Sequence, residues 1–468
     1  MSAPIVVIGA GMGGLAAALR LARAGFDVEV LEARTDPGGL AASQQLRGLR
    51  FDAGPYILLD RPGLEWAFAQ LGLDLGPLDL RRVEDVYEVQ AGAGPPVRIL
   101  ADLDATAAGI DRLESGAGVR YARLVREMAR LRQKLEPMLR VSRPGPLDLL
   151  RTGALVAAPF LLRSLGDVLR AARLPAPVID ALGVWTHVAG QSLFEAPSPM
   201  AFVPALIHTA GAWLPAGGVG EVPALIAREA EAAGVRFRWG ARVARIRVER
   251  GAAVGVETAA GDFVPAGAVL SDASGIGTQL DLVEGTPARE ATRLRKLPLQ
   301  SPGVSAYLAA RGDPAGPYLR FRLQGGTDGC QLLVQPAAVV PALRRDGVHP
   351  ARLLAPLGHQ RAERDGEPGQ RAFLVALLAE PWWKSCAGPY EVLATRIPAE
   401  WGAQYHLYRE SMNPVMTARF MRKGRLPHKS PHVRGLYFAG SSTHPGQWVS
   451  FCAISGVMAA DALRRDLS

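Results

Sequence analysis

Glycines at positions 9, 11 and 14 stand between a short apolar run and a helix-forming one, and no other feature restricts the fold as much. Residues 4–9, PIVVIG, read as a buried strand, residues 15–24 as a helix that Gly25 ends, and residues 27–32, DVEVLE, as a second strand closing on Glu32. A strand, a G-x-G-x-x-G turn, a helix and a strand ending on an acid roughly 20 positions later meet the requirements of a dinucleotide site. Gly9 permits the tight turn, Gly11 lets the backbone approach a pyrophosphate, and Gly14 lets helix and strand pack closely. Gly13 lies in the same turn, where the helix start offers unpaired N–H groups to phosphate charge.

Glu32 suits a ribose hydroxyl pair, and its charge disfavours the extra phosphate of NADP. Beyond it, Ala33 and Arg34 lead to Gly38 and Gly39, which bring an arginine near the pyrophosphate and a glycine pair over which a flat ring passes. A nicotinamide dinucleotide has no need of this second close loop, so the pair favours flavin over NAD.

With 468 residues, 49% of them hydrophobic, the chain is long enough for roughly two or three domains. Arginine dominates the 53 Lys+Arg set against 44 Asp+Glu, and the formal charge of +9 favours anionic surfaces. A membrane is favoured over nucleic acid, because the arginines are scattered and not interleaved with aromatics in a basic tract. No uninterrupted apolar run reaches the ~20 residues that span a bilayer, and the opening lacks the features of a secretory signal, so a cytoplasmic location is expected. Residues 145–175 mix leucines and phenylalanine with Arg143, Arg151, Arg163, Arg170 and Arg173, which suggests peripheral contact with an anionic membrane on its inner face. Cys330, Cys386 and Cys452 are too far apart for a disulfide scaffold or a metal cluster. His428 and His432 follow Pro427 and Pro431, which deny them a helical ligand pair, so no metal is expected.

The expected fold class is α/β. A Rossmann-type FAD-binding domain is assembled from the discontinuous segments 1–60, 213–285 and 430–468, with an α+β substrate domain at 61–130 and 286–429 and a helical, membrane-associating region at 131–212. Within these, 221–233 reads as helix and 264–271 as one strand. Residues 304–309, 331–334 and 373–378 read as strands and 355–370 as an exposed connection. A closing strand at 435–439, a glycine turn and a helix at 449–463 repeat the architecture of the opening.

The segment VVIGAGMGGLAAALRLARAGFDVEVLEARTDPGG is similar to the FAD signature shared by carotenoid desaturases, retinol saturases, protoporphyrinogen oxidases and monoamine oxidases. Phe51-Asp52-Ala53-Gly54-Pro55 resembles the segment after the glycine pair in phytoene-desaturase-like proteins, and Gly435-Leu-Tyr-Phe-Ala-Gly-Ser-Ser-Thr-His-Pro-Gly resembles the carotenoid desaturase branch. The resemblance implies FAD as cofactor, with Asp52, Gly54 and Pro55 near it and Val243 meeting the adenine through backbone groups. Gly440, Ser441 and Gln447 would close over the phosphates and ribityl chain, while Val449 and Ser450 offer N–H groups to the isoalloxazine. It also implies dehydrogenation of C–C bonds in a hydrophobic isoprenoid or carotenoid, with hydride passing to flavin N5.

Gln447-Trp448-Val449-Ser450-Phe451-Cys452 departs from that branch, which usually carries a second small glycine run and a proline here; Trp448 and Phe451 would reshape the cavity. His444 is the first polar residue to examine in this turn, either holding it or transferring a proton. An amine oxidase with an aromatic pair of Trp448 and Tyr405 or Tyr408 remains open. So do a polyene saturase and a non-enzymatic prenyl-binding escort. Oligomeric state has no signal in the sequence.

Overall fold

A computed structural model of the chain describes residues 3–188, 190–324, 329–423 and 425–467. Its centre is a five-stranded parallel sheet in the order Leu436–Phe438, Ala268–Ser271, Ile5–Ile8, Val28–Glu32, Arg236–Trp239. Ile5–Ile8 is buried at every position, as a parallel strand covered on both faces must be. The sheet therefore draws strands from the two ends and the middle of the chain, and the fold is the α/β class expected, built from discontinuous segments.

The helix Met12–Ala22 and the final helix Val449–Leu467 lie against each other beside this sheet. A β-carbon on Gly456 would run into the Gly13 carbonyl and lie 2.9 Å from the Ala16 methyl, so only glycine allows this crossing.

A second, seven-stranded sheet runs Tyr390–Arg396, Val304–Ala310, His349–Ala355, Cys330–Val334, Leu319–Leu323, Asp85–Ala91, Val97–Leu100. Only the pairing of Leu319–Leu323 with Asp85–Ala91 is parallel. Between Val97–Leu100 of the second sheet and Arg236–Trp239 of the first, the chain forms helices that include Ala117–Leu135, Pro146–Arg151, Ala158–Leu161, Leu165–Ala171, Ala176–Val188 and Phe202–Thr209.

Four sequence expectations need correction. Residues 373–378 are not a strand and 355–370 are not, for the most part, an exposed connection: 359–370 and 373–378 both belong to the helix His359–Leu378. Its periodicity is hidden by a break at Gly366, which takes φ 58°, ψ −172°, and lets Pro368 begin a fresh helical run. On either side, the i,i+4 pairs Arg361–Asp365 and Arg371–Glu367 support it, while Leu374 and Leu377 bury against the second sheet. Residues 264–271 are two strands, Phe263–Pro265 pairing antiparallel with Ala252–Thr258 and Ala268–Ser271 joining the parallel sheet. Within 145–175, Phe160 is 7% exposed and stacks on Phe202 at 5.2 Å, so it is core and not a membrane-facing side chain. Trp383 is also core, its indole donating to the Leu377 carbonyl at 2.7 Å.

Candidate functional site

One cavity of about 1090 Å³ runs from the glycine turn to the helical region. At one end its walls are backbone at Gly9, Gly11, Gly13, Gly38 and Gly39; at the other they are side chains such as Leu149, Leu161, Phe202 and Leu206. The polar end lies at the carboxyl edge of a parallel sheet, the crevice where such sheets bind ligands.

Glu32 ends its strand facing this cavity, with one carboxylate oxygen accepting from the Ala10 N–H at 2.6 Å and the other from the Arg34 N–H at 2.9 Å. Those bonds fix the carboxylate and leave lone pairs for hydroxyl donors. The Ala241 N–H donates to the Glu32 carbonyl at 2.8 Å, which brings Arg242 and Val243 to the same wall. Arg34 stacks over the Tyr405 ring at 4.6 Å, and its Nη1 is buried, lines the cavity and has no hydrogen-bond partner. A buried guanidinium donor left unpaired beside a glycine turn awaits an anionic ligand. The N-terminus of the final helix opens on the same space at Val449 and Ser450. The unpaired donor, the backbone-lined turn and two helix N-termini fit the pyrophosphate and ring of FAD.

The cavity brings together most of the sequence-derived residues, including Ala33, Gly54, Pro55, Ser441, His444, Gln447 and Trp448. Gly14, Asp52 and Gly440 stand behind its wall. A β-carbon on Gly14 would strike the Gly9 carbonyl, which is the close packing expected of the third glycine. Asp52 accepts from Ser43 Oγ at 2.8 Å and from the Gly220 N–H at 3.3 Å, tying the loop before Gly54 to the helix Glu221–Ala232. Burial raises its carboxyl above the usual range.

Both ring nitrogens of His444 are engaged. Arg425 Nη1 donates to Nδ1 at 3.0 Å, so Nε2 carries the hydrogen and donates to the Met138 carbonyl at 2.9 Å. Burial, with the Arg425 charge beside it, pushes the imidazole down to about 3. The ring is neutral and ties the final turn to the helical region, leaving no nitrogen free for proton transfer. Trp448 stacks on Phe451 at 5.0 Å and 13°, while Tyr405 stacks on Trp401 at 5.1 Å. Trp448, Tyr405 and Tyr408 all line the cavity.

Four residues that carry the site were not singled out from the sequence. Arg352 is buried and donates from Nη1 to the Asp52 and Gly54 carbonyls, both at 2.9 Å, holding the loop over the cavity. Asp60 and Arg132 form a buried ion pair at 3.0 Å on the cavity wall. Asp272 lies beneath the glycine turn; its only sequence signal is its place immediately after the strand Ala268–Ser271. Among the described residues there is no group of three or more His, Cys, Asp or Glu arranged for a metal, and the three cysteines are free.

The family model for flavin containing amine oxidoreductases matches residues 12–276. A zeta-carotene-forming phytoene desaturase of Myxococcus xanthus is 30% identical over 98% of this chain and 93% of its own length. A hydroxyneurosporene desaturase of Rhodobacter capsulatus is 31% identical over 99% of this chain and 98% of its own length. In fold, the chain is similar to an oxidoreductase from Methanosarcina mazei, with a TM-score of 0.68, 19% identity, and coverage of 98% of this chain and 100% of that one.

Proposed function

The chain belongs to the flavin-containing amine oxidoreductase family, and from that premise we propose that it dehydrogenates C–C single bonds of a long hydrophobic isoprenoid of the carotenoid type. It is an FAD-dependent oxidoreductase with homology to several carotenoid desaturases. The observation that carries the finer reading is the cavity's continuation from the glycine turn into a wall of leucine and phenylalanine.

FAD held in this cavity would supply the two-electron, hydride-accepting oxidant. The protein's part is to bind and align: Glu32, Arg34 and the glycine turns would hold the dinucleotide, and the first N–H groups of Val449–Leu467 would face the charge developing on its ring system. A polyene spreads positive charge by conjugation, so loss of the neighbouring proton needs little help from a side chain. That agrees with a His444 whose nitrogens are both occupied.

The substrate's route is proposed to begin at residues 145–175. Leu147, Leu150, Val156 and Leu162 are 67%, 61%, 64% and 67% exposed, while Leu149 and Leu161 line the cavity behind them. Exposed apolar side chains among arginines suit peripheral contact with an anionic bilayer at the cytoplasmic face. No helix among the described residues is long and apolar enough to cross a membrane.

Anaerobic mixing of the holoenzyme with a panel of long isoprenoid hydrocarbons and a panel of amines tests the reaction. Bleaching of the flavin by the hydrocarbons alone is expected. Bleaching by amines alone sinks the proposal in favour of an amine oxidase, and bleaching by neither in favour of a binding escort.

A further inference from the structure

Asp272 introduces a carboxyl group at the place where a dinucleotide brings its own negative charge. Its strand, Ala268–Ser271, runs parallel to Ile5–Ile8 in the sheet, so the next residue emerges directly beneath the glycine turn. A β-carbon on Gly11 would collide with Asp272 Oδ2, one on Gly13 would lie 2.6 Å from Oδ1, and one on Gly440 would collide with the same oxygen. The carboxyl is thus wedged between the opening turn and the closing one, and it lines the cavity. The N–H groups of Gly14 and Gly13 hydrogen-bond to it.

Among the described residues no cation acts on it. From the strand Val28–Glu32 it faces the Glu32 carboxylate, from the final helix the Cys452 thiol, and from the opening helix only backbone N–H groups. The closing turn at Gly440 and Ser441 brings no ionisable side chain. Arg34 lies on the wall beyond Glu32 and is not among the groups acting on Asp272. A pyrophosphate is doubly charged and needs the N–H donors of this same helix start. Like charges packed this closely cannot all be ionised. Glu32 is already committed as acceptor to Ala10 and Arg34, and Asp272 is the carboxyl left to take a proton.

We propose that Asp272 is a neutral carboxylic acid in the FAD complex, so that FAD uptake carries one proton from solvent onto its carboxylate. No electron moves and no other bond changes. The chain by itself is disposed this way: burial, reinforced by Glu32, pushes the Asp272 carboxyl up to about 7 against the opposing pull of the Gly14 and Gly13 N–H groups.

The proposal rests on FAD occupying this cavity, and the test separates the two. Deflavinated full-length protein is titrated with FAD from about pH 6 to about pH 9, following flavin fluorescence, with calorimetry in two buffers of different ionisation enthalpy. The wild-type dissociation constant should be flat on the acid side and approach a tenfold loss per pH unit above about 7, with close to one proton taken up per FAD on the alkaline side. Asp272→Asn should flatten the profile and bind more tightly than wild type at about pH 9. A flat wild-type profile without proton uptake overturns the proposal, as does an unchanged slope in Asp272→Asn. Absence of FAD binding at every pH instead overturns the cofactor assignment. Should the variant fail to fold, proton uptake by the wild type still decides.

Discussion

Ser450 and Asp60 meet 390 positions apart in the chain, with Ser450 Oγ donating to Asp60 Oδ2 at 3.0 Å on the wall of the cavity. Asp60 is 4% exposed, and its other oxygen takes Arg132 Nη2 at 3.0 Å. Three segments are thereby joined: the start of the helix Arg61–Leu71, the long helix Ala117–Leu135 and the N-terminus of the final helix. Arg132→Met leaves the carboxylate buried without its counter-ion, an expected loss of about 3–5 kcal/mol in unfolding free energy. Adding Asp60→Asn should recover part of it. Thermal melts of the single and double variants check this, and equal loss in both would show that the pair is not what the carboxylate needs.

Glu32 has two tasks, and they give separate readouts. Glu32→Ala should weaken FAD binding by about 1.5–3 kcal/mol, the scale of a hydrogen bond with a charged partner. It should also destabilise the flavin-free protein, because the Ala10 and Arg34 N–H groups lose their acceptor. Fluorescence titration measures the first and melting of deflavinated protein the second. An unchanged dissociation constant would remove Glu32 from the cofactor site whatever the melt shows.

His444 predicts a pH dependence of stability and none of catalysis. Its folded value of about 3 lies below the usual histidine value, so the folded state binds fewer protons there. Its contribution is present in full above about pH 6.5 and is lost as pH falls from there toward 3. His428, pushed down to about 4 by burial, acts in the same sense. Wild-type protein should lose melting temperature between about pH 7.5 and about pH 5, and His444→Gln should lose less. Flavin reduction by substrate should show no inflection belonging to His444 between about pH 5 and 9. An inflection that disappears in His444→Gln would make it a proton-transfer group after all.

For the proposed entrance, Leu147→Asp with Leu150→Asp should abolish flotation with liposomes containing anionic lipid at low salt while FAD content stays unchanged. Both side chains are more than half exposed, so their replacement leaves the core intact. High salt should weaken flotation of the unmutated chain. Phe160→Asp belongs to a different experiment: it places a charge against Phe202 and should unfold the helical region. Flotation of the double variant as strong as that of the wild type would place the membrane contact elsewhere.

Much of the dinucleotide half was legible because its rules are local. A buried strand, a turn that only glycine satisfies and an acid at the next strand's end are set by nearby residues, so Gly9, Gly11 and Glu32 announce themselves. Burial of Ile5–Ile8 follows from the same apolar run. Local patterning failed where two structures share one pattern. Residues 373–378 are an apolar stretch that suits strand or helix, and the glycine break at 366 concealed the turns that would have settled it. Phe160 and Leu162 lie two positions apart in one apolar run, yet one is core and the other exposed, a difference made by Phe202 from another helix.

The sequence by itself determined the class of fold, the cofactor-binding turn and the presence of a greasy central region, because glycine requirements and hydrophobic runs act over a few residues. Only the tertiary structure decided that Asp272 lies between Gly13 and Gly440, that Asp60 finds both Arg132 and Ser450, and that His444 has no nitrogen to spare. Those outcomes depend on which distant side chain shares a desolvated space. A buried charge or ring takes its protonation and partners from that space and not from its neighbours along the chain.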